Sequence, residues 1–354
     1  MPEMTLPAPQ SVGNAETTLM YAEAAECAAV VARQLRANAP LTEKIGNTLR
    51  ASPPRAVVTC ARGSSDHAAT YARYLIETRA HVLTSSASPS ISSVYGAEQD
   101  LRDCLVLAIS QSGRSPDLLA TVEAARRDGA SIVALCNAPD APLVGLADFA
   151  IPLHAGLERG VAATKSYVAS LAALAHLVAE WTQDAPLAAG TQALPDTLSA
   201  AWRLDWRAAL PMLVEAEHLY VISRGIGLGL AQEGALKAKE TCGLHAEAYS
   251  GAEVRHGPLA LLGAHFPALV IAQNDATRPG LEELAAELAA RGVEVALAGG
   301  LADGALVLAT TECPATLAPI PNAVSLYRLL AQVAVARGRN PDAPPFLSKV
   351  TATV

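Results

Sequence analysis

The sequence predicts an α/β protein made of two parallel β-sheets, each doubly wound with helices on both faces. Three observations favour this fold class. Short apolar runs alternate with amphipathic helical segments from about residue 55 onwards. These runs are apolar throughout, as expected of strands that helices cover on both faces of a parallel sheet. The alternation occurs twice, and a chain of 354 residues is long enough for two average domains.

The first domain is expected to span residues 51–195 and to follow an N-terminal helical segment, residues 1–50. In that segment Ala, Glu, Leu and Arg recur at helical spacing. A polar stretch with Pro and Gly, residues 183–195, is expected to mark the boundary to the second domain. The predicted strands of the first domain are residues 55–60, 104–110, 131–137 and 149–153. Its predicted helices are residues 66–78, 116–127 and 165–181.

The second domain is expected to span residues 196–340, and a C-terminal tail, residues 341–354, follows it. Gly243 should end a helix, and a loop is then expected to carry His245, Glu247, Tyr249, Glu253 and His256. The predicted strands of this domain are residues 218–223, 267–273, 294–298 and 305–309. Its predicted helices are residues 228–241, 281–290 and 323–336.

The composition argues against several classes of protein. Of all residues 51% are apolar, yet no window holds the ~18 uninterrupted apolar residues of a membrane-spanning helix. The N-terminus lacks a basic segment followed by an apolar one, so we expect no export signal. A formal net charge of −8 argues against nucleic acid or an anionic membrane as partner. The six cysteines are scattered without a Cys-x-x-Cys pair. These features predict a soluble cytoplasmic protein with reduced cysteines.

The turn after the second predicted strand is the strongest functional signal. The apolar run ends in Ser110, Ser112 and Ser115, which are grouped around Gly113, and a helix begins at Pro116. Unpaired backbone N–H groups and the positive end of the helix dipole meet at such a turn. Small hydroxyl groups add donors without bulk, so the turn predicts a phosphate site. A serine cap on an ordinary strand-to-helix turn is the alternative.

The two halves of the chain resemble loose repeats. Residues 59–64 and 221–226 open the two halves and share Arg-Gly at the same place. When the halves are superimposed so that residue 110 falls on residue 273, the three serines fall on Gln273, Asp275 and Arg278. The second copy has gained a carboxylate that would repel a phosphate. We therefore expect one anion site per chain, in the first domain.

Three other clusters could supply chemistry. Residues 63–67, Gly-Ser-Ser-Asp-His, form a second turn rich in small donors at the same sheet edge. Residues 158–165 hold small residues that permit close approach to a ligand, although Thr164 and Lys165 could simply begin a solvated helix. Glu233, Lys237 and Glu240 share one helical face.

The third cluster continues to His256. It could be a source of acid and base groups, or it could simply be a charged helix face exposed to solvent. Acids, bases and histidines are nevertheless dense here in a chain that is only 17% charged. A carboxylate and a histidine in one pocket are suitable general acid and base groups. The pair His245 and Glu247 resembles part of a metal site, but no motif completes it, so we expect no metal.

Five ordered segments resemble the sugar isomerase (SIS) family, and within it the isomerase part of glucosamine-6-phosphate synthases and the glucosamine-6-phosphate deaminases. The resemblance extends from about residue 55 to the C-terminus. It implies two tandem SIS domains, each with a flavodoxin-like parallel sheet. The segments that carry it are residues 63–65, 110–113, 158–165, 233–258 and 347–349.

The resemblance also implies the roles of individual residues. Glu240 matches the base that moves a proton between C1 and C2 of the sugar. His256 matches a ring-opening histidine that the neighbouring subunit of a homodimer contributes, and Lys349 matches a lysine that forms a Schiff base with the open-chain ketose. Lys237 and Glu233 match pocket residues nearby. The residues implied to bind the phosphate or to surround the sugar are Ser110, Gln111, Ser112, Ser115, Ser64, Ser65, Val161, Ala162 and Ala163.

Two departures from the family pattern refine this expectation. Ala163 stands where the family commonly has a serine, so either one hydroxyl contact is absent or the contact is made only through the backbone. The synthases carry an N-terminal glutaminase domain with a cysteine directly after the initiator Met, whereas residue 2 here is Pro and the first cysteine is Cys27. We therefore expect that this chain does not release ammonia from glutamine.

These expectations define three hypotheses about function. The leading one is a cofactor-independent deaminase that converts glucosamine 6-phosphate to fructose 6-phosphate and ammonia. A fructosamine-6-phosphate deglycase or another phosphosugar isomerase would share the pocket residues and is the alternative. A non-catalytic sugar-phosphate sensor is less favoured, because it has no use for Glu240, His256 and Lys349.

Overall fold

Two five-stranded parallel sheets organise the protein in a computed structural model that describes residues 13–263 and 265–349. The N-terminal helices and the first sheet region occupy the first half of the chain. In chain order its elements are α1 (Leu19–Ala25), α2 (Cys27–Ala51), β1 (Ala56–Cys60), α3 (Ser64–Arg79), β2 (Thr84–Ser86), α4 (Ser90–Ser93), β3 (Cys104–Ser110), α5 (Pro116–Arg127), β4 (Ser131–Cys136), α6 (Pro142–Leu146), β5 (Phe149–Pro152) and α7 (Lys165–Thr182).

The second half repeats this alternation after three connecting helices. Its elements are α8 (Ala185–Gln192), α9 (Leu194–Arg203), α10 (Leu210–Glu215), β6 (His218–Ser223), α11 (Leu228–Cys242), β7 (His245–Ser250), β8 (Ala268–Ile271), α12 (Arg278–Ala290), β9 (Val295–Ala298), β10 (Leu306–Leu308) and α13 (Pro319–Ala336). Short 3₁₀ turns join several of them.

The two sheets have the same topology. The first has the order β2-β1-β3-β4-β5, and the second, read from its β7 edge, has the equivalent order β7-β6-β8-β9-β10. Strand pairs in both sheets are parallel. This confirms the predicted fold class of two doubly wound α/β units, in which ligands bind beyond the carboxyl ends of the strands where the order switches.

Local sequence accounts for the central element of the first sheet. All seven residues of β3 are buried, as a strand between two neighbours and under helices must be. Pro116 stands at the start of α5, where its missing N–H costs nothing. The register pairs Cys60 with Ala108 and Ser110 with Cys136. The turns that follow β1 and β3 therefore lie side by side at one edge of the sheet.

Two strands were not predicted, and one of them corrects an expectation. The part of the expected loop that carries His245, Glu247 and Tyr249 is strand β7, which pairs with β6 along its whole length. An edge strand is not buried on both faces, so it does not need an apolar sequence. The sequence of β7, His-Ala-Glu-Ala-Tyr-Ser, accordingly contains no apolar run. The other, β2, has only three residues.

The connection between the halves is helical. Residues 183–195, expected to mark the boundary, contain α8 and the start of α9. Asp184 caps α8, since its side chain accepts a hydrogen bond from the Leu187 N–H at 2.9 Å. In the described ranges, no helix is both long enough and apolar enough to span a bilayer.

Close packing of α3 against α11 joins the two sheet regions at the site. Gly229 in α11 packs directly against the backbone of His67 in α3. A Cβ at Gly229 would stand only 2.4 Å from the His67 carbonyl oxygen. Only a residue without a side chain permits this approach. The contact brings the first turn of α3 next to Glu233, in the middle of α11.

Candidate functional site

A cavity of about 320 Å³ opens where the carboxyl ends of β1 and β3 meet. This is the point at which the strand order of the first sheet switches. Helix α11 and the last described residues of the chain complete its wall. Of the residues singled out from the sequence, those that line it are Ser64, Ser65, Ser110, Gln111, Ser112, Ser115, Val161, Ala163, Lys237, Glu240 and Lys349.

The serine turn presents hydroxyl groups to the cavity beside the N-terminus of α5. The Ser110 hydroxyl accepts a hydrogen bond from the Gly113 N–H at 2.9 Å and so fixes the turn. Ser115 occupies the N-cap position of α5 in an extended conformation, but its side chain makes no capping hydrogen bond. The N-cap interpretation therefore does not account for this hydroxyl, which lines the cavity beside the helix N-terminus.

Gly113 makes this turn possible, and its replacement gives the first prediction. Its φ is +61°, and a Cβ there would lie 2.6 Å from Ala141 Cβ and 2.7 Å from Cys136 Sγ. Gly113→Ala is therefore expected to lower the free energy of unfolding in urea by about 2 kcal/mol or more, through left-handed strain and steric conflict. Gly145→Ala is the matched control, because a Cβ at Gly145 meets nothing within 4 Å. An equal effect of the two substitutions would contradict the prediction.

Lys237 lies buried between two carboxylates. Its Nζ is 2.5 Å from Glu240 Oε2 and 3.5 Å from Glu233 Oε1. Burial alone would lower the pKa of Lys237, but the two carboxylates outweigh burial and raise it above its ordinary value. Lys237 is therefore an ammonium group, and it orients the Glu240 carboxylate at the cavity wall.

Glu233 anchors this lysine from below the cavity. It is fully buried, and its Oε1 accepts hydrogen bonds from Ser64 Oγ (3.1 Å) and Tyr327 OH (2.9 Å). His67 Nδ1 lies 2.9 Å from its other oxygen. Burial would raise the pKa of Glu233, but Lys237 and these hydrogen bonds lower it below its ordinary value. Glu233 does not line the cavity.

Lys349 reaches the cavity from the C-terminal segment. Its Nζ donates hydrogen bonds to Glu158 Oε2 at 2.9 Å and to the Gly160 carbonyl oxygen at 2.6 Å. Glu158 is buried and also accepts from the N–H groups of Thr164 and Ser166. Burial would raise the pKa of Glu158, yet the Lys349 charge and these donors lower it.

Several candidate residues lie elsewhere or have a different environment. His256 is exposed after the 3₁₀ turn Glu253–Arg255 and does not line the cavity of its own chain. Ala162 is buried behind Val161 and Ala163. Lys165, which could have begun a solvated helix, is buried and ion-paired with Glu26 at 2.7 Å.

Sequence reasoning did not assign Glu158, Arg62 or Ser348 to the site. Arg62 and Ser348 line the cavity. The Arg62 guanidinium binds the buried Asp117 carboxylate at 2.7 and 2.9 Å. In the sequence, Arg62 stood out only because the pair Arg-Gly recurs in the second half of the chain. Ser348 stood out only as the residue before Lys349. Glu158 opens a segment that was singled out for its small residues.

Comparison with known proteins identifies the family. A model of the SIS domain matches residues 52–180 and 212–336, more than half of the chain. The chain belongs to the SIS domain family. The family match thus falls on the two sheet regions, and the serine turns lie within its first segment.

Among SIS relatives, the glutamine–fructose-6-phosphate aminotransferase of Legionella pneumophila (strain Paris) is 33% identical over 306 residues. The match covers 83% of this chain and 50% of the relative, so the chain spans about half the length of the curated relatives it matches.

Two solved structures resemble the SIS fold seen here. One, a proposed phosphosugar isomerase from Silicibacter pomeroyi DSS-3, is 41% identical with a TM-score of 0.89, covering 92% of this chain and 100% of that chain. The other is the C-terminal domain of glucosamine-fructose-6-phosphate aminotransferase from Francisella tularensis. It is 27% identical with a TM-score of 0.84, covering 93% of this chain and 98% of that chain.

Proposed function

We propose that this protein is a phosphosugar isomerase that deaminates glucosamine 6-phosphate to fructose 6-phosphate and ammonia. The observation that carries the proposal is one cavity at the switch point of the first sheet, lined both by a serine turn at a helix N-terminus and by charged groups. The turn contributes Ser110, Ser112 and Ser115, and the charged groups include Glu240 and Lys349. The resemblance to phosphosugar-converting SIS proteins supports the same substrate class.

The phosphate of the substrate would occupy the serine turn. Hydroxyl donors and the N-terminus of α5 favour an anion there. The Arg62 side chain is about half exposed beside this turn, at 53% of its surface. Because it is paired with the buried Asp117 carboxylate, it would offer the phosphate its remaining N–H donors rather than a net charge. The sugar would then extend towards Val161, Ala163 and α11, because these residues form the remaining wall of the cavity.

The chemistry requires one base near two neighbouring carbons. Glu240 would remove the C2 proton of the open-chain aldose and return a proton to C1, which converts the 2-amino aldose into a 2-imino ketose. Addition of water to C2 then releases ammonia and leaves fructose 6-phosphate, so one water is consumed per ammonia. Alternatively, Lys349 as a free amine would add to C2 of the imino ketose and expel ammonia, and water would then hydrolyse the lysine imine to fructose 6-phosphate, so that the overall reaction still consumes one water.

An ammonia-release assay tests the proposal directly. The protein is incubated with glucosamine 6-phosphate, and ammonia and fructose 6-phosphate are measured together. Equal amounts of both products are the expected result. Cleavage of fructosamine 6-phosphate without any release of ammonia from glucosamine 6-phosphate would overturn the proposal in favour of a deglycase. Binding of both sugars without turnover would overturn it in favour of a sensor.

We further propose that His256 opens the sugar ring in the site of a neighbouring subunit of a homodimer. The support is its exposed position away from the cavity of its own chain. His256→Ala and Glu240→Gln variants should each be inactive, but dimers that contain one of each should regain activity, since one of their two sites then holds both native residues. If His256 acted within its own chain, neither site of the mixed dimer would be complete and activity would stay absent.

A further inference from the structure

The second domain contains a larger cavity, of about 710 Å³, which the proposed reaction does not use. It lies beyond the carboxyl ends of β8, β9 and β10, against the first turn of α13. This is the sheet edge at which doubly wound domains bind ligands. Its polar lining includes Asn274, Arg278, Thr310, Thr311, Cys313 and Asn322.

This cavity is not a copy of the first site. At the switch point of the second sheet, the Gln273 side chain donates hydrogen bonds to the Arg224 carbonyl oxygen and to Thr277 Oγ1, both at 2.8 Å. Gln273 stands at the place of Ser110 and closes the gap between the turns after β6 and β8. The open space is therefore displaced towards β9 and β10, where Gly299 and Gly300 line it.

Two polar side chains in the lining are placed to bind a ligand. Asn322 lines the cavity and has an exposed fraction of only 4%. Thr311 Oγ1 is buried without a hydrogen-bond partner in the described part of the chain. Buried polar groups are normally hydrogen-bonded, so the unpaired Thr311 hydroxyl at the cavity wall indicates a missing polar partner.

The charges around the cavity do not favour an anion. Arg278 is the cation in the lining, and its Nε already binds Glu282 Oε1 at 2.8 Å. Glu312 adds a carboxylate to the lining. The remaining polar lining consists of amides, hydroxyls and glycine backbone, which both donate and accept hydrogen bonds.

The size and the lining select a ligand class. The cavity volume is more than twice that of the proposed hexose-phosphate site. The residues that line it in the described chain include no Phe, Tyr or Trp on which a nucleobase could stack. Leu301 and Val307 offer apolar surface at its rim for C–H groups. We propose that this cavity binds an uncharged carbohydrate, distinct from the phosphorylated substrate of the first domain, with Asn322 as its central hydrogen-bonding residue.

Cys313 provides a built-in reporter for this site. It lines the cavity and is partly exposed, whereas the other five cysteines are buried. Burial raises the pKa of the Cys313 thiol to about 11, so its labelling by uncharged N-ethylmaleimide is best followed at about pH 8.5. A Cys313→Ser variant identifies the labelled residue.

The test measures how sugars change the rate of Cys313 labelling. D-glucose and maltose are the probes, glycerol is the control for non-specific hydroxyl effects, and inorganic phosphate is the control for an anion site. We expect at least one of the two sugars to slow labelling at least fivefold with a saturable concentration dependence. Neither glycerol nor phosphate should do so.

Two variants link the protection to the cavity. Asn322→Leu removes the amide, and Asn274→Trp fills the rim from an exposed position that is unimportant for the core. Each should reduce protection by the sugar at least fivefold, while Ser112→Ala in the first site should leave it unchanged. Protection that survives Asn274→Trp, equal protection by glycerol or phosphate, or no protection by either sugar at 100 mM would overturn the proposal. Since Asn274 is exposed, its variant decides the test even if Asn322→Leu fails to fold.

Discussion

Glu240→Gln is expected to lower kcat for ammonia release by about 10²–10⁴-fold, which is the usual contribution of a general base. Glutamine keeps the size of the side chain and can still accept the hydrogen bond from Lys237 Nζ, now 2.5 Å from Glu240 Oε2. It cannot take up a proton from the substrate. Because binding contacts are retained, we expect KM to change much less than kcat.

The control for this variant is Glu283→Gln, an exposed carboxylate on α12 of the second domain. It removes the same charge from the protein without touching the cavity, and its kcat should equal that of the wild type. Because Glu240→Gln removes the closer of the two carboxylates from the buried Lys237, some loss of stability is expected, and kcat is compared under conditions in which urea unfolding shows that the variant is folded. Retention of more than a tenth of the wild-type kcat would show that another group is the base.

The parts of the fold that were predicted correctly are those with a local signal. Strand β3 is an uninterrupted apolar run, and α5 begins at Pro116, so the serine turn between them could be placed from the sequence alone. Strand β7 has no such signal, because its partner β6 supplies the hydrogen bonds and its side chains are mostly polar. Its existence depends on a pairing across 27 positions, from His218 to His245.

The site shows the same division between local and long-range information. Helical spacing was enough to predict that Glu233, Lys237 and Glu240 share one face of a helix. The sequence could not predict that His67 and Tyr327 bind Glu233, because they lie 166 and 94 positions away from it. In the same way, the sequence could not show that Lys165 pairs with Glu26, which is 139 positions away.

Glu233→Leu and Lys237→Met are each expected to lower the free energy of unfolding by about 3–5 kcal/mol, because each removes a buried charge whose partner stays buried. The exposed fractions of the two side chains are 0% and 1%. The double variant should lose clearly less than the sum of the two single losses, because it removes both fully buried charges and leaves only Glu240, which is 21% exposed and reaches solvent. Urea unfolding of all four proteins measures this coupling.

The pH dependence of stability provides an independent test of the same pair. Because the folded-state pKa of Glu233 is lowered by Lys237 and its hydrogen bonds, its contribution is fully present above the ordinary glutamate pKa of about 4.3. That contribution is lost as the pH falls through the lower folded-state pKa. Glu233→Gln should therefore be less stable than the wild type at pH 7, and the difference should shrink below about pH 4. A stability difference that stays constant from pH 7 to pH 3 would mean that the pKa of Glu233 is the same in the folded and the unfolded protein, and it would contradict the prediction.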